Sequence, residues 1–422
     1  MAEIKTAGKY VVPGDARFEE YVPHLLGKRV ALFSNHTGIV AESMDVIRSG
    51  EGKPDLVPLG QNLRGETVRY KHILDELLDR GVKVTAIFSP EHGFRGTVDD
   101  GMSIADSKDE KTGIPVYSLY GTDVHAPSED SLALFDTLVI DMQDVGLRYY
   151  TYYICMYYLM EACAGKNKRV WLLDRPNPNG FYTDGPMLRE RFRSGVGMLP
   201  VPVVHGMTWG ELAGMINGEG WLSTGKNSCD LNVVRCLRYT HDTKVRLSTC
   251  PSPGLKSMRA VYLYSSLCYF ENTPVSVGRG TDHPFELFGS PLMSDTGKFT
   301  FSFIPRSMSG AGDPPMKEKL CRGEDLREKE LAGIWEEKID LRYLTDAYRD
   351  IHGAHPETPF FGMPDSKGRY WIDKLIGTDK VRTMIIDGAE PEELRETWRC
   401  ELEDFRRCRE PYLLYERSAL PF

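Results

Sequence analysis

Short, continuously apolar runs recur along the first half of the chain and alternate with stretches of helical spacing. Arg29–Ser34, Lys83–Ser89, Val116–Leu119, Thr137–Asp141, Arg169–Leu173, Val201–Val204 and Leu231–Val234 read as strands. A strand apolar on both faces is expected where helices cover both sides of a parallel sheet. Val68–Arg80 and Tyr152–Ala164 have helical spacing, and Thr208–Glu211 reads as a capping box opening a helix that reaches Asn217. The order predicts an open α/β domain with crossovers long enough for right-handed βαβ units.

The texture changes near residue 250. After the turn at Pro251–Gly254, Val261–Phe270 reads as an apolar helix, and Gly278–Pro315 mixes loops with a short strand at Lys298–Ile304. Leu326–Lys338 and Pro391–Arg407 read as helices, and Val381–Ile386 as a strand. The fold class expected is therefore α/β: a Rossmann-like open parallel-sheet domain over residues 1–250, and a smaller mixed α/β domain over 251–422.

Composition narrows the function. With 52 Lys plus Arg against 61 Asp plus Glu, the formal net charge of -9 argues against a non-specific nucleic-acid binder. It leaves room for an acidic ligand, because a few arginines hold a carboxylate. Nine cysteines occur without a C-x-x-C pair, which suits neither a zinc knuckle nor a disulfide scaffold. No run of about 18 apolar residues predicts an integral membrane segment, and the N-terminus lacks the apolar core of a signal peptide. No G-x-G-x-x-G follows the first strand and no G-x-x-x-x-G-K-[ST] occurs, so a nucleotide cofactor is not expected.

The candidate chemistry collects at the expected carboxyl ends of successive strands: Ser34–Gly38, Glu91–Gly96, Asp141–Asp144, Asp174–Asn177 and His205–Gly206. Ligands of open α/β sheets bind along that edge. Glu91 follows a strongly apolar strand and is the foremost catalytic candidate, because a partly desolvated glutamate is a useful general acid. His92 stands beside it to orient it or to touch substrate, and Arg95 is close in sequence. Asp141 and Asp144 are the further catalytic candidates. Asn35, His36, Gln143, Arg148, Tyr150, Asp174, Arg175, Asn177 and His205 supply the amide, cationic and aromatic groups that a sugar requires. The plainer reading makes these turn residues and an Asp–Arg network across the sheet edge. Glu91, His92, Asp141, Asp144 and His205 could ligate a metal, but no spacing fixes a set, so no metal is assigned. G-x-S-x-G is absent, which argues against a serine nucleophile.

In N-H-T-G at Asn35–Gly38, P-E-H-G-F-R-G at Pro90–Gly96, D-x-Q-D-V-G-x-R-Y-Y-T-Y from Asp141, and Asp174–Pro178, the sequence resembles the exo-β-N-acetylmuramidases of glycoside hydrolase family 171, once known only as a bacterial domain of unknown function, DUF1343. The resemblance continues through Val203–Glu211, Gly278–Phe285 and Phe405–Tyr415, and departs at about 45–65, which reads as an insertion. It implies a cleft between a Rossmann-like and a smaller domain, and release of N-acetylmuramic acid from the non-reducing ends of peptidoglycan fragments without a cofactor. It implies Glu91 as proton donor, and makes Arg148, Arg175 and Arg279 the candidates for the lactyl carboxylate. The expected partner is a small peptidoglycan-derived glycan or muropeptide. The location expected is the periplasm or cell envelope if a signal segment has been removed, and the cytoplasm otherwise. The runner-up readings are a non-catalytic binder of cell-wall sugars and a metal-dependent hydrolase.

Overall fold

The computed structural model describes residues 10–47, 57–61, 66–67, 70–90, 94, 106–119, 126–224, 228–294 and 297–417. Its centre is a seven-stranded sheet formed by β1 (Arg29–Phe33), β2 (Lys83–Ser89), β3 (Ser107–Lys108), β4 (Pro115–Ser118), β5 (Thr137–Ile140), β6 (Arg169–Leu173) and β7 (Asp230–Val234). The spatial order is β7-β6-β5-β1-β2-β4-β3. All neighbours pair in parallel except β3, which runs antiparallel to β4 at the edge. Leaving out β3, the chain builds outward from β1 through β2 and β4, then returns to the other side of β1 for β5, β6 and β7. The reversal falls between β1 and β5, and such a switch point opens a crevice at the carboxyl ends of the strands.

Strand alternation explains the two-sided burial. Ala31, Phe33, Ala86, Phe88, Leu138 and Ile140 belong to one apolar cluster, and Val30, Leu32, Val84, Ile87 and Val139 to the other. Helices α1 (Phe18–Leu25) and α2 (Ile73–Asp79) cover the second face through Tyr21, Leu25, Ile73, Leu74 and Leu77. Helices α3 (Tyr152–Gly165) and α4 (Trp209–Gly218) cover the first. The first cluster continues past residue 250 into the helix Met258–Leu267 and the helices that follow, so one core runs beneath both halves of the sequence.

Several expectations need correction. Val201–Val204 is not a strand of the central sheet; Pro202–Val204 pairs antiparallel with Asp184–Met187 beside it. Val381–Ile386 is helical, as Lys380–Ile386: its β-branched run imitates a strand, but Val381 and Ile385 are buried four residues apart, the spacing of a helix face. Pro391–Arg407 divides into Pro391–Glu396 and Arg399–Arg409. Within Val68–Arg80 the helix begins only at Ile73, because Lys71–His72 pairs with Ile39–Val40; Val68 lies outside the described residues. Within Leu326–Lys338 only Leu331–Glu337 is helical.

Asp174, just past β6, anchors α4 and the carboxyl-terminal tail. Thr208 Oγ1 and Tyr415 Oη donate to its Oδ2 at 2.7 and 2.6 Å, and the Gly210 N–H donates to Oδ1 at 2.9 Å. The capping box is present as expected: Thr208 Oγ1 accepts from the Glu211 N–H, and Glu211 Oε2 accepts from the Thr208 N–H. Close approach here requires glycine. A Cβ on Gly210 would lie 2.6 Å from Val233 Cγ1 and 2.8 Å from the Asp174 carboxyl, whereas one on Gly214 of the same helix would meet nothing within 4 Å. Gly214→Ala is therefore expected to raise stability by about 0.5–1 kcal/mol, the ordinary helix preference. Gly210→Ala should lower it despite the same preference. Urea unfolding of the two variants checks the opposite signs.

Candidate functional site

The crevice at the switch point lies between the turns that follow β1 and β5. Asn35 fastens them together. Its Oδ1 accepts from the Thr37 N–H at 2.9 Å and from Thr37 Oγ1 at 2.6 Å, and Thr37 Oγ1 accepts from the Gln143 N–H at 3.0 Å. His72 caps α2 through Nδ1, which accepts from the Leu74 N–H. That bond puts the proton on Nε2, which donates to the Asn35 carbonyl at 2.8 Å. Gln143 Nε2 donates to the Asp144 and Pro176 carbonyls. Two expected binding residues, Asn35 and Gln143, are thus brought together, each with one side-chain end committed to the frame.

Asp141 and Asp144 have opposite surroundings. Asp141 is fully buried, and Arg175 grips both of its oxygens, Nε to Oδ1 at 2.6 Å and Nη2 to Oδ2 at 3.0 Å. Arg175 Nη2 also meets Asp15 Oδ2 at 2.7 Å. Burial pushes the Asp15 carboxyl up, Arg175 opposes that, and the neighbouring Asp141 charge adds to it. Among the described residues, Asp144 has no cation against it. Burial raises its pKa to about 7, and the Gly146 N–H, donating to Oδ2 at 2.5 Å, holds it back. The indole of Trp209 stands close enough to oppose the rise as well, but its N–H makes no well-formed hydrogen bond.

Among the described residues, the buried polar atoms without a hydrogen-bond partner include, along this rim, Asn35 Nδ2, Ser89 Oγ, Gln143 Oε1, Asp144 Oδ1 and Trp209 Nε1. Their residues are 0%, 0%, 3%, 8% and 4% exposed. Orphaned buried polar atoms are few in folded proteins, and their collection on neighbouring loops marks a place for a polar ligand.

The other expected residues mostly hold the frame. Arg148 is fully buried and donates to the carbonyls of Pro186, Val201 and Leu375; burial lowers its pKa to about 10. Asp174 anchors α4, and burial raises it to about 6. Asn177 Nδ2 donates to the Met207 carbonyl, and its Oδ1 accepts from the Asn179 N–H. His205 Nδ1 accepts from the Met207 N–H, and burial, with Arg409 and Arg148 nearby, lowers its pKa to about 3, so the ring is neutral. Tyr150 Oη donates to the Pro251 carbonyl at 2.5 Å, and His36 Nε2 lies 2.9 Å from the Cys250 carbonyl. These last two bonds tie the rim to the segment leading to Arg279. Arg279 is one-fifth exposed, pairs with Glu271 at 3.5 Å and stands 5.0 Å over the Phe285 ring. Together with Lys256, Gly280 and Thr281 it borders a small hollow.

Glu91, His92 and Arg95 lie outside the described residues. On one flank Ser89 and Pro90 are buried at the end of β2; on the other, the buried Phe94 packs edge-on to His72 at 4.9 Å. The sequence reading missed Asp15, Ser89 and Trp209. Trp209 had a signal, since it directly follows the cap residue Thr208 at a helix start aimed along the rim. Asp15 had none. Among the described residues no three His, Cys, Asp or Glu side chains are grouped to hold a metal.

Comparison with known proteins gives this geometry a family. The pattern described as "Exo-beta-N-acetylmuramidase NamZ, N-terminal" matches residues 57–259, and its C-terminal counterpart matches 262–415. The "Peptidoglycan beta-N-acetylmuramidase NamZ" of Bacillus subtilis (strain 168) is 32% identical over 424 residues, covering 95% of this chain and 90% of that protein. A crystal structure of a DUF1343 family protein from Bacteroides fragilis NCTC 9343 is 45% identical, with a TM-score of 0.79 over 97% of this chain and 99% of that one. A second from the same organism is 25% identical, with a TM-score of 0.76 over 97% and 100%. The chain belongs to the exo-β-N-acetylmuramidase NamZ family.

Proposed function

We propose that the chain is an exo-acting glycoside hydrolase that releases N-acetylmuramic acid from the non-reducing end of peptidoglycan fragments. Family membership supports the activity. The observation that carries the site is the desolvated Asp144 carboxyl among orphaned polar atoms at the switch point. Peptidoglycan fragments arise outside the cytoplasmic membrane, which favours the periplasm or cell envelope as the place of work. Among the described residues no helix is long and apolar enough to cross a membrane.

Glu91 is our assignment for the proton donor, since a departing sugar alkoxide needs a proton and a carboxylic acid can supply one. Asp144 is the second carboxyl of the reaction. Asp141 is not, because both of its oxygens are engaged by Arg175. Of the three arginines considered for the lactyl carboxylate, Arg148 and Arg175 are buried and bonded within the frame, and Arg279 alone is part-exposed. Arg279 is therefore assigned to the lactyl group, and its loop closes the cleft from the second half of the chain.

Glu91→Gln is expected to lower turnover of an unactivated disaccharide by roughly 10²–10⁴-fold, the usual worth of a general acid. The loss should be smaller on an aryl glycoside with a good leaving group. Equal turnover of both substrates by the variant and the unmodified enzyme would remove Glu91 from the acid role. Arg279→Ala should raise KM for a muramic acid β-glycoside by about 10–10²-fold, as expected for loss of a charged hydrogen bond. It should leave the KM for the corresponding N-acetylglucosamine glycoside, which lacks the lactyl group, unchanged.

The pKa of Asp144 has a consequence for stability. A carboxyl near 7 in the folded chain and near 4 in the unfolded chain keeps its proton longer when folded, so stability falls as pH rises through that window. The fall should be of the order of a few kcal/mol. Urea unfolding at pH 5 and pH 8 should show Asp144→Asn losing less stability across this interval than the unmodified protein.

A further inference from the structure

The orphaned atoms differ in hydrogen-bonding sense. Asn35 Nδ2 and Trp209 Nε1 are donors, Gln143 Oε1 and an ionised Asp144 Oδ1 are acceptors, and Ser89 Oγ serves either way. They sit on the turns after β1 and β5, at the last residue of β2 and on the first turn of α4, and the Asn35–Thr37–Gln143 bonds hold the two turns together. A carboxylate ligand would satisfy only the donors and would meet two acceptors. A secondary amide presents one carbonyl and one N–H and satisfies both kinds. Resting on the glycosidase reading above, we propose that this cluster is the subsite for the substrate's 2-acetamido group, and that Asp144 orients that group so its carbonyl oxygen is the nucleophile at the anomeric carbon.

The surroundings of the two aspartates support this division. Asp141 is held in its ion pair. Asp144 Oδ2 is held by the Gly146 N–H, and Oδ1, without a hydrogen-bond partner among the described residues, is left for substrate. Burial makes this carboxylate more basic than usual, and a basic carboxylate is a stronger acceptor for an amide proton that grows acidic as the ring closes. The Trp209 indole, fixed by stacking on Phe33 with ring centres 6.3 Å apart, stands beside it.

In the first step the acetamido oxygen forms a bond to the anomeric carbon as the bond to the leaving oxygen breaks. The leaving oxygen keeps the electron pair and takes the proton of Glu91, and the amide N–H proton passes to Asp144. The product is a neutral oxazoline. In the second step water adds at the anomeric carbon, its proton goes to Glu91, the ring opens, and Asp144 returns the proton to nitrogen. Two displacements leave the anomeric configuration as it began.

The test uses the unmodified enzyme and two aryl β-glycosides of muramic acid, one N-acetylated and one N-trifluoroacetylated, whose carbonyl oxygen is a poor nucleophile. The proposal expects kcat/KM to fall by roughly 10²–10⁴-fold on fluorination, the worth of one positioned catalytic group. It also expects the β anomer of the free sugar to appear first by NMR. Asp144→Asn should lower kcat on the acetylated substrate with KM nearly unchanged. First appearance of the α anomer would overturn the proposal in favour of direct attack by water. A retained anomer with equal rates on both substrates would overturn it in favour of Asp144 itself as nucleophile. If neither glycoside is hydrolysed, the glycosidase reading fails and the proposal fails with it.

Discussion

The carboxyl edge of the sheet depends on one buried guanidinium. Arg175 joins three chain segments: Asp15 before α1, Asp141 after β5, and its own turn after β6. Two buried carboxyls share one guanidinium, and removal of Arg175 would leave both without it. Breaking a buried pair in that way costs about 3–5 kcal/mol. The same bonds fix the direction in which the chain leaves β5, and so the position of Gln143 and Asp144. Asp141 therefore holds the turn, with both of its oxygens committed to Arg175.

That arrangement separates two aspartates three residues apart. One is gripped on both oxygens by a guanidinium; the other has no cation against it among the described residues, and burial raises its pKa to about 7. Two carboxyls in such different surroundings suit divided labour in catalysis. The neutral His205 and the Arg148 guanidinium are also buried, but His205 Nδ1 and both Arg148 Nη atoms are bonded to the backbone.

The fold was legible where composition and period agreed. β1, β2, β5 and β6 are continuously apolar because helices cover both faces, and the capping box at Thr208–Glu211 states its helix start outright. Val381–Ile386 was misread because β-branched composition outweighed a two-residue burial signal four positions apart. Val201–Val204 was read as a strand, but nothing local reveals that its partner is Asp184–Met187. The rim loops were legible as a set, since Asn, Asp and Gly cluster after strands. The division among them was not. Whether Arg175 reaches Asp141, or Arg148 reaches three carbonyls, depends on contacts between residues 34 to 227 positions apart, as the Arg175–Asp141 and Arg148–Leu375 bonds illustrate.

The switch point also explains why a Rossmann-like strand order here serves a sugar instead of a nucleotide. A phosphate site at this place needs backbone N–H groups turned outward after the first strand and an open helix N-terminus. Here the Thr37 and Gly38 N–H groups turn inward to Asn35 Oδ1 and the Asn35 carbonyl. At the start of α2, the Leu74 N–H is taken by the His72 ring. What faces the crevice is an amide N–H, an amide carbonyl and a carboxyl without a cation, none of which suits a dianion. A neutral, amide-bearing pyranose meets no such conflict. Its one charged group, the lactyl carboxylate, would suit a part-exposed guanidinium such as that proposed at Arg279.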